Sequence, residues 1–204
     1  MVKVTRIESF CDEFVGFTRV TDETGAQGWG QVSTYCSDIT CQVLHRQVAP
    51  WVLGVEASNF DDLLDLVTER EHKFPGSYLR RALGGFDTAV WDMWGKQQDK
   101  PVVELLGGTP GKLRAYASSM KRDITPNEEA NRLIQLREEA GFNAFKVRAG
   151  AEVGRDQDEW PGRTEEIIAT MHKKMGDNVA LLIDANSCYS PKRAIEGGQL
   201  LQEH

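Results

Sequence analysis

The chain has 204 residues, enough for one large domain or two small ones. Hydrophobic residues at 40% and charged residues at 27% give an ordinary globular balance, and a net charge of −7 without a run of Lys or Arg argues against nonspecific binding to nucleic acid or an anionic membrane. No stretch approaches the ~18 consecutive apolar residues of a membrane span, and the start, MVKVTRIESF, lacks the apolar stretch of a signal peptide.

Residues 2 to 35 read as strands. VKVTRIESF alternates, and EFVGFTRVTDETGAQGWGQVSTY reads as a hairpin turning at Asp22 and Gly25. From Ile39 the pattern becomes helical, with Val43, Leu44, Val48 and Trp51 near one face and a stop at Gly54. A second helix opens on Asn59 as expected cap and groups Leu63, Leu64 and Val67. The longest helix, SYLRRALGGFDTAVWDMWGKQQ, carries a stripe of Leu79, Leu83, Phe86, Val90 and Met93 or Trp94. Gly84 and Gly85 inside it cost roughly 1 kcal/mol each against Ala, which suggests close packing against a neighbour. A short helix in PVVELL then breaks at Gly107 and Gly108.

After that break the rhythm changes to strand and helix in alternation. KLRAYAS, NAFKVRAG and VALLIDAN read as strands. Helices follow each, the first with Pro126 at its start and Gly141 past its end, the last with Ser190 as cap. Three successive βα units predict parallel strands joined by crossover helices. The expected division is 1–110 and 111–204. Cys11, Cys36, Cys41 and Cys188 form no Cys-x-x-Cys pair and fit neither a zinc site nor a dense disulfide framework, so reduced thiols in a cytoplasmic protein are expected.

Parallel strands carry functional residues at their carboxyl ends. Lys146, Arg148 and Asp184 fall at such ends. Lys146 and Arg148 are two apart and share a face of their strand, as do Asp184 and Asn186 on theirs. Charges buried together in a barrel mouth need a partner, a metal or a substrate. The spacing alone leaves a purely structural ion pair with Asp184 open, since ion-pair networks also cluster charges. The four histidines and the tryptophans Trp51, Trp91, Trp94 and Trp160 fall on positions that suit surface or packing roles.

These segments, in this order, resemble the enolase superfamily in the branch of mandelate racemase and muconate lactonizing enzyme. GAQGWGQV is similar to a signature of that family's capping domain, and RRALGGFDTAVWDMWGKQQDKPVVELLGG to its long helix and exit. LRAYAS, GFNAFKVRAG and LLIDANSCYS resemble its first three barrel strands. The resemblance implies an α/β chain: an α+β capping domain followed by the first three βα units of a modified (β/α)7β TIM-like barrel.

It further implies Mg²⁺-assisted abstraction of the proton α to a carboxylate of a small hydroxy or sugar acid. Asp184 would be the first metal ligand, Asn186 a substrate-contacting amide beside it, and Lys146 the first Lys of the family's Lys-x-Lys. Arg148 stands where the second Lys, the usual base, is found. A guanidinium is a poor proton acceptor, so Arg148 is expected to clamp substrate, which leans towards an acid-sugar dehydratase over a racemase, epimerase or cycloisomerase.

In the resembled family, cap loops choose the substrate; here those imply Phe14, Tyr35 and Ser37, with Ser118 after the first barrel strand. The loop Glu152 to Gly162 reads as a solvated linker. A closed barrel needs about 250 residues, so the remainder is expected from a longer chain or a second polypeptide, and a fragment without a complete metal site is the rival of another class. A homo-oligomer is implied; nucleic-acid and membrane partners are not.

Overall fold

The computed structural model describes residues 2–57 and 60–204, which fall into two compact units, Met1–Gly111 and Lys112–His204. Asn59, the expected helix cap, lies outside the described residues. Among them, no helix is long and apolar enough to cross a membrane.

The first unit opens with an antiparallel meander of β1 (Val2–Cys11), β2 (Val15–Asp22) and β3 (Gln27–Thr34). The short β4 (Glu56–Ala57) adds to its edge, giving the order β3-β2-β1-β4. Simple alternation does not hold through β1. The register slips between Val4 and Arg6, so that Val4 and then Ile7 turn inward. The turn after β2 is built by Asp22, whose Oδ1 accepts from the backbone N–H groups of Thr24 (2.9 Å) and Ala26 (3.0 Å).

The helical half comprises α1 (Ser37–Val43), a π-helical turn (Leu44–Val48), α2 (Ala49–Val52), α3 (Phe60–Arg70), α4 (Ser77–Gln98) and α5 (Val102–Leu105). The π turn ends two residues before Pro50, which has no N–H to continue an α-helical ladder. Leu79, Leu83, Phe86, Val90 and Met93 all enter the core. Trp91 and Trp94 pack edge-on against Phe60, as packing residues should.

Glycines fix how closely β3 lies on α4. A Cβ on Gly28 would stand 1.9 Å from the Ala89 carbonyl oxygen, and one on Gly30 would stand 2.0 Å from that of Gly85. Gly85 answers from the helix side, where a Cβ would meet Val32 at 2.5 Å. Gly84 is a correction: it faces solvent with no atom within 4 Å of the missing Cβ, because it lies one residue off the buried face.

The second unit runs β5 (Ala117–Ser118), α6 (Pro126–Ala140), β6 (Ala144–Arg148), α7 (Arg163–Met175), β7 (Ala180–Asp184) and α8 (Pro191–Glu203). Its strands are parallel in the order β5-β6-β7. Phe145, Val147, Leu181 and Ile183 point to the helices, where Leu133, Ile167, Ile168 and Met171 complete the core. The first strand is shorter than KLRAYAS predicts. β6 begins at Ala144, so residues before Tyr116 have no strand beside them. Arg114 is held instead by side-chain bonds to Asn143, 2.9 Å to both Oδ1 and the carbonyl.

α6 carries a full capping box. Thr125 Oγ1 accepts from the Glu128 N–H, and Glu128 Oε2 accepts from the Thr125 N–H. Thr125→Ala is expected to cost about 1 kcal/mol, read as a lower urea midpoint at unchanged slope.

Candidate functional site

The carboxyl ends of β5, β6 and β7 bring one row of polar side chains together. Ser118 lies beside Lys146 in the ladder, and Arg148 beside Asp184. Period-2 alternation puts Ser118, Lys146, Arg148 and Asp184 on the face opposite Phe145 and Val147. Lys146 Nζ stands 2.9 Å and Arg148 Nη1 stands 2.5 Å from the same oxygen, Asp184 Oδ2. Asp184 Oδ1 accepts the Asn186 backbone N–H at 2.8 Å. The Lys146 ammonium, the Asn186 N–H and the Arg148 guanidinium together hold the Asp184 carboxyl below its usual range, against the upward push of burial. Two cations therefore converge on one carboxylate at adjacent strand ends.

Asn186 also reaches the site, but not by strand alternation. β7 ends at Asp184, and Asn186 sits in the left-handed region (φ 51°) of the turn that follows. Its Oδ1 accepts from Arg148 Nη1 at 2.6 Å and from Arg122 Nη2 at 3.1 Å. Arg148 is 6% exposed. Its Nη2 contacts Met120 Sδ at 3.0 Å, while Nε is buried without a hydrogen-bond partner among the described residues.

Two neighbours were missed from the sequence. Tyr116 lies under Lys146, with Nζ 5.5 Å from the ring centroid; it stands two residues before Ser118, and alternation could have found it. Arg122 comes from the loop after β5 and also reaches the Gly150 carbonyl at 3.3 Å; no periodic signal marks it.

The backbone behind the site is pinned. Arg163, 1% exposed, donates from Nη1 to the Arg148 carbonyl at 2.7 Å. Gly150 N donates to Thr164 Oγ1 at 3.1 Å. The loop expected as a solvated linker is in fact anchored: Asp156 Oδ1 accepts the Ser190 N–H at 2.5 Å, and Asp158 Oδ1 accepts from Thr164 Oγ1 at 2.5 Å. It ties the end of β6 to the end of β7.

In the first unit, Phe14 and Tyr35 are 55% and 69% exposed and meet edge-on at 6.2 Å between centroids. The Tyr35 N–H donates to the Phe14 carbonyl at 3.0 Å. Ser37 is a correction. It is fully buried at the first position of α1, and its hydroxyl donates to the Ser33 carbonyl at 3.2 Å. The left-handed Tyr35 and Cys36 turn the chain so that Ser37 faces the core instead of solvent.

Asp184 suits one position of a magnesium site: a partly exposed, ionised carboxylate at a strand end. It does not make a site alone. Among the described residues no group of three or more His, Cys, Asp or Glu side chains could hold a metal ion.

An α+β unit followed by three parallel strands alternating with helices, with a carboxylate and two cations at the strand ends, is the pattern of a capping domain followed by the first part of a βα barrel. The chain belongs to the mandelate racemase/muconate lactonizing enzyme family of the enolase superfamily: that family's N-terminal domain matches residues 5–107, and an enolase C-terminal domain-like segment matches residues 128–204.

A candidate racemase from Roseobacter denitrificans is 71% identical, with a TM-score of 0.95 over 99% of this chain and 55% of that one. A mandelate racemase/muconate lactonizing protein from Paracoccus denitrificans PD1222, solved with magnesium, is 27% identical, with a TM-score of 0.88 over 100% of this chain and 57% of that one. The arabinonate dehydratase of Saccharolobus solfataricus is 28% identical over 91% of this chain and 49% of its own length. The chain spans about half the length of such relatives.

Proposed function

We propose that this chain contributes half of an active site that abstracts the proton α to the carboxylate of a small hydroxy or sugar acid, and that the outcome is dehydration of an acid sugar. The observation that carries the reading is the convergence of Lys146 and Arg148 on Asp184 at adjacent strand ends. The similarity to an arabinonate dehydratase favours the sugar acid and the loss of water.

The remaining strands of the barrel come from a longer chain or a second polypeptide, and the assembly is a homo-oligomer. A cytoplasmic setting belongs to the same reading.

The α-proton is weakly acidic because its removal leaves an enediolate with charge on two oxygens. Magnesium, held by Asp184 and by ligands that the described residues do not supply, would steady that charge. Lys146 lies next to the substrate carboxylate. Arg148 is a clamp: Nη1 already holds Asp184 and Asn186, and its fixed positive charge beside them draws a substrate oxygen. The base lies elsewhere. Asn186 and Ser118 contact substrate hydroxyls, and Phe14 and Tyr35 act in selectivity.

Solvent-deuterium exchange and product analysis over a panel of acid sugars, with and without Mg²⁺, test this. Dehydrated product with Mg²⁺-dependent exchange is expected. Arg148→Lys should weaken substrate binding, because an ammonium does not reproduce the guanidinium's contacts; unchanged binding would count against the clamp.

Racemisation is the second reading, favoured by the 71% identity to a candidate racemase. Equal exchange of both stereoisomers without loss of water would select it.

A further inference from the structure

A thiol pair lies in the first unit, outside the candidate site. Ser9 and Cys11 are two apart at the end of β1 and share a face with the buried Ile7. Cys41 on α1 and His45 on the π turn are four apart. Ser9 Oγ meets His45 Nε2 at 2.9 Å. Two residues along a strand advance about 6.8 Å and four along a helix about 6 Å. One step up the strand and one turn back along the helix therefore sets Cys11 opposite Cys41.

The Cys41 thiol has Cys11 and Ser9 as its neighbours. Gly16, the register partner of Cys11, lets α1 approach: a Cβ there would stand 3.0 Å from that of Ser37 and 3.4 Å from that of Cys11. The pair is asymmetric. Cys11 is exposed and Cys41 is buried. Burial, and then the neighbouring Cys11, push the Cys41 thiol up to about 11, so it stays protonated near neutral pH.

We propose that Cys11 and Cys41 form a reversible disulfide, with the exposed Cys11 reacting first with a hydroperoxide and the buried Cys41 resolving it. In the first step Cys11 sulfur attacks the peroxide O–O bond, giving a sulfenic acid and releasing the alcohol or water of the peroxide. In the second, Cys41 sulfur displaces hydroxide from Cys11, the S–S bond forms, and the Cys41 proton leaves with the hydroxide as water. Two thiols lose two electrons and the peroxide gains them. A dithiol reductant reverses the product.

The test is hydrogen peroxide treatment of the full chain, followed by quenching, denaturing alkylation and non-reducing tryptic mass spectrometry. Trypsin releases Cys11 in residues 7–19, and Cys36 with Cys41 in residues 20–46. A cross-link between those peptides, two hydrogens lighter than their sum and lost with dithiothreitol, is expected in wild type and in Cys36→Ser. Cys11→Ser, an exposed change, should fold normally by circular dichroism, lose the cross-link and leave Cys41 unmodified. A cross-link that vanishes in Cys36→Ser, sulfinate at Cys11 without a cross-link, or no modification would each overturn the proposal. So would oxidation of Cys41 in folded Cys11→Ser.

Discussion

Replacing Asp184 by asparagine is expected to lower α-proton exchange at least ~10²-fold, the scale on which removing one charge-stabilising group in an active site acts. The carboxylate is the point where Lys146 and Arg148 meet, so the change also leaves two cations facing a neutral amide. Hydrogen bonds to charged groups contribute about 1.5–3 kcal/mol, and the 27% exposure of the Asp184 side chain places the stability loss towards the lower end.

The pH dependence has a fixed sign. The Asp184 carboxyl is held below its ordinary value of 3.8, chiefly by Lys146. Its contribution is fully present above that value and is lost as pH falls through the lowered one. Urea melts should therefore show a constant gap between wild type and Asp184→Asn above about pH 5, closing only at lower pH. Unchanged exchange in Asp184→Asn would remove the proposed chemistry.

Gly30→Ala is expected to unfold the first unit or weaken it by about 3 kcal/mol or more, beyond the usual range for overpacking. The new Cβ would lie 2.0 Å from the Gly85 carbonyl oxygen and 2.8 Å from Ala89 N. Both are backbone atoms of α4, so no rotamer change relieves the clash and the helix must move off the sheet. Domains are stable by only about 5–15 kcal/mol. Gly84→Ala is the matched control: the helix position is open to solvent, and the change should raise stability by up to ~1 kcal/mol. Circular dichroism with thermal melts reads both. A Gly30→Ala protein melting like wild type would mean that β3 and α4 are not packed this closely.

Much of the site was legible because it depends on a local period. Alternation along AFKVR and ALLID assigns Lys146, Arg148 and Asp184 to one face and Phe145, Val147, Leu181 and Ile183 to the other, and the structure keeps that division. The ends of α6 at Pro126 and Gly141 and the cap at Ser190 were legible for the same reason, since each acts within one turn of its own sequence. Asn186 was named for the wrong cause: its place depends on a left-handed residue after the strand. Ser37 was misjudged because left-handed Tyr35 and Cys36 start α1 two residues before Ile39. Arg122 carries no period at all and reaches Asn186 only because β5 lies beside β6.

By itself the sequence determined the order of elements, the change of rhythm near Gly111, the buried stripe of α4 and the shared face of Lys146 and Arg148. Each follows from spacing within one element, which the 3.6- and 2-residue periods dictate before any packing occurs. Only the tertiary structure decided that the cations share one oxygen of Asp184, that Gly28 and Gly30 exist for a helix some sixty residues away, and that Cys11 and Cys41 are neighbours. Those contacts join residues distant in the chain, and their distances are set by how sheets and helices pack, which no local pattern encodes.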